Sequence, residues 1–178
     1  MPAELTSVSE RRQASPWWLL RDVAVVVAAA ALVGVVCGAV WEMWWTPPSG
    51  LVLDHVWYPD VEGVRQLVSG TVIFVVVGLA GGVLLGAVCA WFFDRVELVT
   101  LVAVAVGSVL ATWLMYEVGT ALAPPDPAAA AATSVDYTTL PGTLTVEGTG
   151  AFGAIPVGAM TGLTVVFIGL APTRRLQR

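Results

Sequence analysis

Four long stretches of this chain carry no charged residue, and no other feature restricts its fold so severely. They are bounded by Asp22 and Glu42, by Arg65 and Asp94, by Glu97 and Glu117, and by Glu147 and Arg174. Each is long enough for a helix to cross the hydrocarbon of a bilayer, which takes roughly 20 residues with a range of about 17 to 25. A single small core cannot hide this much apolar surface: 57% of the residues are hydrophobic and 12% charged, against about 25% charged in a soluble domain. In lipid, backbone polar groups are satisfied only within helices or closed barrels, and the alternating strands of a barrel are not seen. The pattern predicts an all-α membrane protein, a bundle of four transmembrane helices at 22–41, 68–93, 98–118 and 154–171. Pro156 sets the start of the last one near Ala154, because proline is tolerated in a first turn and breaks a helix interior.

The arginines orient the bundle. Cytoplasmic flanks and short loops retain basic residues, and after four passes both termini share a side with the middle turn. That side holds Arg11, Arg12, Arg21, Arg95, Arg174, Arg175 and Arg178, whereas the opposite loops hold Arg65. The expected layout is a single domain over 1–178 in the cell (inner) membrane, with cytoplasmic tails at 1–21 and 172–178 and a cytoplasmic turn at 94–97. Extracytoplasmic loops occupy 42–67 and 119–153. They carry Glu42, Asp54, Asp60, Glu62, Glu117, Asp126, Asp136 and Glu147, an acidic face that is read first as a solvated surface. The first apolar stretch is longer than the core of a signal peptide and lacks a small-residue cleavage site, so it reads as an uncleaved anchor.

Small residues mark how the helices meet, since in lipid they let backbones approach. Gly34 and Gly38, then Gly78, Gly82 and Gly86, then Ala103, Gly107 and Ala111, then Gly158 and Gly162 give each span one such stripe. The short connection between the second and third spans predicts that these two are antiparallel neighbours. Cys37 stands roughly 22 Å from the inner boundary and Cys89 about 7 Å by helical rise, so no disulfide is expected. Trp17, Trp18 and Trp91 flank the inner interface, and Trp41, Trp44, Trp45, Trp57 and Trp113 the outer one, as interfacial anchors.

Both outer loops carry strand and turn signals. Leu51 to Tyr58 is rich in β-branched and aromatic residues and is expected to turn at Pro59-Asp60, and Ser134 to Gly148 alternates around Pro141-Gly142. A small extracytoplasmic cap of strand-like loops is the expectation. Trp41-Glu42-Met43-Trp44 and Trp113-Leu114-Met115-Tyr116 both close an outward span, and Val61-Glu62-Gly63 and Val146-Glu147-Gly148 both precede an inward one, an echo compatible with a duplicated two-helix unit. This arrangement, with the charged middle turn, the Gly-containing third span and the Leu140-to-Gly148 segment leading into Phe152-Gly153-Ala154-Ile155-Pro156, resembles a group of actinobacterial four-span integral membrane proteins of unknown function. The chain contains neither lysine nor asparagine, whose codons are AT-rich, which fits the GC-rich genome the resemblance implies. That resemblance implies no activity.

Chemistry is scarce. His55 beside Asp54 is the only histidine, too little for a metal site without a spaced partner, and no catalytic or cofactor-binding constellation is present. An ion-coupled carrier places ionisable groups in the bilayer interior, and these spans carry Asp22 and Glu117 only at their ends. Their hydroxyls, at Ser69, Thr71, Ser108, Thr112, Thr161 and Thr164, are expected to bond backbone or a neighbouring helix. The chain is therefore read as a non-enzymatic structural or accessory protein of the lipid bilayer, without cofactor or nucleic acid. It is expected to contact a membrane or cell-envelope protein through an external surface at Trp57, Tyr58 and Asp60, or to form a homo-oligomer. The alternative is a small transporter or channel subunit acting as an oligomer.

Overall fold

The computed structural model describes residues 16–92 and 97–175. Arg11, Arg12, Arg95 and Arg178 lie outside the described residues, as do most of the tail expected at 1–21, residues 94–96 of the turn expected at 94–97, and residues 176–178. In chain order the elements are α1 (Pro16–Trp44), β1 (Ser49–Leu53), β2 (Val56–Pro59), α2 (Val61–Phe92), α3 (Glu97–Leu122), α4 (Pro127–Ala131), β3 (Thr139–Pro141), a 3-10 turn (Thr149–Gly153) and α5 (Ala154–Arg175). Four helices, α1, α2, α3 and α5, are each long and apolar enough to cross a membrane.

The helices run beyond the apolar spans read from hydropathy. α1 begins at Pro16 and α2 at Val61, while α3 reaches Leu122 and α5 reaches Arg175. For α2 the cause is Asp60, whose carboxylate accepts the Gly63 N–H at 2.6 Å and satisfies one of the orphan donors of the first turn. With that cap in place the helix extends through Glu62 and Arg65, residues that hydropathy assigns to a loop. At the other end, Pro124 and Pro125 follow α3 and cannot continue it. α5 starts at Ala154, with Pro156 in its first turn.

Neighbours in the bundle are not neighbours in sequence. The extensive contacts join α1 to α3 and α2 to α5, while α2 and α3 touch little among the described residues. This corrects the close pairing of α2 and α3 expected from their short connection; connection length limits the distance between two ends, whereas side-chain size decides which faces can meet. A Cβ on Gly34 would strike the Ala111 carbonyl, one on Gly38 would lie 2.7 Å from the Met115 carbonyl, and Gly107 faces Ala30. In the second pair Gly78 faces Ala154 and Ile155, Gly82 meets Ile155 and Gly158, Gly86 meets Ala159 and Leu163, and Gly162 meets Val83. Residue numbers rise together on both sides of each crossing, so each pair is parallel. Backbone-to-backbone approach of this kind is what small residues at a helix crossing provide.

The two pairs lie side by side, linked by lesser contacts of α1 with α2 and of α3 with α5. Equivalent helices of the two halves are thus in contact, yet the connections do not repeat: β1 and β2 stand in the first, α4, β3 and the 3-10 turn in the second. Toward the loop end the helices are wedged by aromatic rings. Trp41 is fully buried, donates from Nε1 to the Gly70 carbonyl at 2.8 Å, and meets Phe74 edge-on at 4.8 Å. The Tyr116 ring lies near-parallel to Trp41 with centroids 6.5 Å apart, and Phe152 touches both Phe74 and Tyr116. Trp41 and Trp45, expected as interfacial anchors, are core residues. Periodicity alone does not separate a ring facing lipid from one facing a neighbouring helix.

These hydroxyls of the apolar helices bond backbone groups. Ser69, Ser108, Thr112, Thr161 and Thr164 donate to carbonyls three or four residues earlier, and Thr71 accepts the Glu147 N–H at 3.0 Å. Cys37 and Cys89 are free and buried.

Candidate functional site

The connections at the loop end build a cap around a three-stranded antiparallel sheet of order β2-β1-β3. β1 and β2 form a two-residue hairpin, Leu53 opposite Val56, and both turn residues have positive φ, 50° at Asp54 and 63° at His55. That is the type I′ geometry whose twist matches the flanking strands. The reversal lies at Asp54-His55 and not at Pro59-Asp60, because Pro59 closes β2 and Asp60 is committed to capping α2. Asn-Gly or Asp-Gly would have announced such a turn, whereas Asp-His is a weak signal, although both residue types are enriched at positive φ. On the other side, β1 pairs with β3 and then with the residues before it: the Val52 N–H donates to Thr138, and the Tyr137 N–H to Val52.

The sheet has one covered and one open face. Gly50, Val52, Trp57 and Leu140 share the covered side, as the register requires. The Trp57 indole lies over Gly50 and Gly142, where any Cβ would collide with it, and its Nε1 donates to the Leu140 carbonyl at 3.0 Å across β1. α4 packs on β2 and β3, with Pro127 and Ala131 buried. It forms because Asp126 caps it, accepting the Ala128 N–H at 2.9 Å, and because Pro127 is preset for a first turn. The open face carries Leu51, Leu53, Val56 and Tyr58, all exposed.

The residues singled out from sequence as an external surface therefore occupy three different situations. Tyr58 is on the open face, 52% exposed. Trp57 is half-buried and pins the strands together. Asp60 ties the hairpin to α2: besides the Gly63 N–H it accepts the Ser49 hydroxyl at 2.8 Å, while the Ser49 N–H donates to Gln66 at 3.2 Å. The Gly63 N–H first, and the Ser49 hydroxyl second, hold the Asp60 carboxyl below its usual pKa. Leu51, Leu53 and Val56 were not singled out, although the alternation through Leu51-Val52-Leu53 places the two leucines on one face and Val52 on the other.

A cleft of about 320 Å³ lies between the hairpin turn and the start of α4, lined by His55, Val56, Trp57, Asp126, Pro127 and Ala128. Among the described residues no group of three His, Cys, Asp or Glu side chains is placed to hold a metal ion. His55 and Asp54, side by side in the hairpin turn, project from a loop whose backbone they shape. No protein-family model matches this chain, and comparison with curated proteins and with solved structures finds no match either.

Proposed function

We propose that this chain is a multi-pass protein of the cell membrane with both termini in the cytoplasm, and that it works as a structural or accessory component whose cap contacts another protein of the membrane or envelope. One observation carries the reading: an apolar face, Leu51, Leu53, Val56 and Tyr58, is left open on a sheet whose other face is covered. An exposed contiguous apolar patch of this kind marks an interaction surface, and it stands on a rigid base, since the hairpin is tied to α2 through Asp60 and to β3 through Trp57. The distribution of arginines supports the orientation, which places the cap outside the cell. The helices support an accessory role over transport: their hydroxyls bond backbone groups, and the side chains where the pairs meet are small and apolar.

The test is a paired substitution on the open face, Leu53→Glu with Tyr58→Glu, followed by cross-linking in intact cells and mass spectrometry of what is captured. Loss of a reproducible cross-linked protein at an unchanged melting temperature is the expected result. Capture of the same species by the variant at wild-type yield removes the open face from the proposal.

A further inference from the structure

The cleft beside α4 combines three features. Its lining includes Trp57, whose ring is held in place, since the Trp57 Nε1 is bonded to Leu140 and the ring rests on Gly50 and Gly142. It includes a carboxylate held in place, since Asp126 Oδ1 accepts the Ala128 N–H and leaves Oδ2 unassigned. Val56 and Pro127 add apolar surface around these two groups. The volume, about 320 Å³, falls at the lower end of the range of about 300–1,000 Å³ usual for small-molecule sites.

We propose that this cleft binds a small organic cation: an ammonium group with a short apolar body, set between the Trp57 ring and the Asp126 carboxylate. A cation over an indole face is drawn by the ring quadrupole, and a neighbouring carboxylate supplies a charge-assisted partner. The surroundings favour the same sign. The cap end carries Glu42, Asp54, Asp60, Glu62, Glu117, Asp126, Asp136 and Glu147, while its one arginine, Arg65, stands 4.0 Å from Glu62 on α2. Such a field raises the local concentration of cations. The cleft is too small for a folded partner, and an anion would meet the Asp126 carboxylate, with His55 the one basic side chain in the lining. The cleft shares Val56 with the open face of the sheet, but the inference depends neither on a protein partner for that face nor on the orientation of the bundle.

The ammonium group has two sources, a soluble amine or the headgroup of a phospholipid. Full-length protein in nanodiscs of phosphatidylglycerol alone is titrated calorimetrically with choline, with ethanolamine, and with dimethylbutanol, the uncharged analogue of choline. Saturable binding of choline or ethanolamine in the millimolar range or tighter is expected, with none of the analogue. Asp126→Asn keeps a residue that caps helices equally well, so α4 and the melting temperature should be retained while affinity falls about tenfold or more, as losing a charge-assisted bond requires. Adding phosphatidylethanolamine to the nanodiscs then separates the sources: abolished binding of soluble ethanolamine assigns a lipid headgroup, and unchanged binding assigns a soluble amine. Absence of saturable binding by both cations, equal binding of the uncharged analogue, or affinity unchanged by Asp126→Asn would overturn the proposal.

Discussion

Gly86→Ala adds one methyl group at the tightest crossing of α2 and α5. The new Cβ would overlap the Ala159 carbonyl oxygen and lie 2.8 Å from the Ala159 carbonyl carbon and 2.9 Å from the Leu163 nitrogen. These are backbone atoms, so no side-chain rotation relieves the contact. Carbon contacts are comfortable at about 3.5–4.0 Å, and the helices must therefore part by close to 1 Å locally. A gap of that size forfeits about a quarter to a half of each contact of ~0.1–0.2 kcal/mol, near 1 kcal/mol over roughly 20 atom pairs. Strain adds to this, and overpacking by a methyl group generally costs ~1–3 kcal/mol. Opposing it, alanine is the better helix former by up to about 1 kcal/mol. The net expectation is a loss of roughly 1–2 kcal/mol, which at about 2–4 °C per kcal/mol lowers the melting temperature by ~2–8 °C. Gly150→Ala is the control, because a Cβ there meets no atom within 4 Å. Both variants are melted in the same detergent, followed by tryptophan fluorescence. If Gly86→Ala melts with Gly150→Ala or above it, close approach of α2 and α5 is not what holds this pair together.

Three other expectations concern the cap and the orientation. The carboxyl of Asp60 has its pKa lowered by the Gly63 N–H and the Ser49 hydroxyl, so its contribution to stability is complete above the usual carboxylate pKa of about 4 and is lost as pH falls through the lowered value; Asp60→Ala should flatten the acid limb of the melting-temperature profile, and an unchanged limb would assign that sensitivity to another group. Trp57→Phe keeps a ring over Gly50 but removes the donor to Leu140, and a loss of about 1 kcal/mol is expected on chemical denaturation, with no loss if water replaces the bond. An introduced thiol at Asp136 should react with an impermeant maleimide on intact cells and one at Ser7 should not, whereas labelling of Ser7 from outside would reverse the topology proposed from the arginines.

What sequence alone determines here is the presence and number of the long apolar helices, because runs without charge and of membrane-crossing length are a one-dimensional property of the chain. The start of α5 is legible for the same local reason, a proline that is tolerated in a first turn. Strand character in the outer loops is legible too, while the position of the turn is not, since Asp54 and His55 adopt positive φ only because the strands on either side are held in register. The glycine stripes announce close packing without naming the partner. That Gly34 meets Ala111 and Gly82 meets Ile155 follows from which helix surfaces interlock in three dimensions, and the parallel pairs override the connection between α2 and α3. Tertiary structure likewise decides which of two adjacent residues is available: Trp57 and Tyr58 read alike in the sequence, yet the pleat sends one indole across the sheet to Leu140 and leaves the neighbouring phenol exposed. A recognition surface depends on which face of a strand is covered, and that follows from how the two connections fold together, with α4, a five-residue helix of the second, packed against β2 and β3.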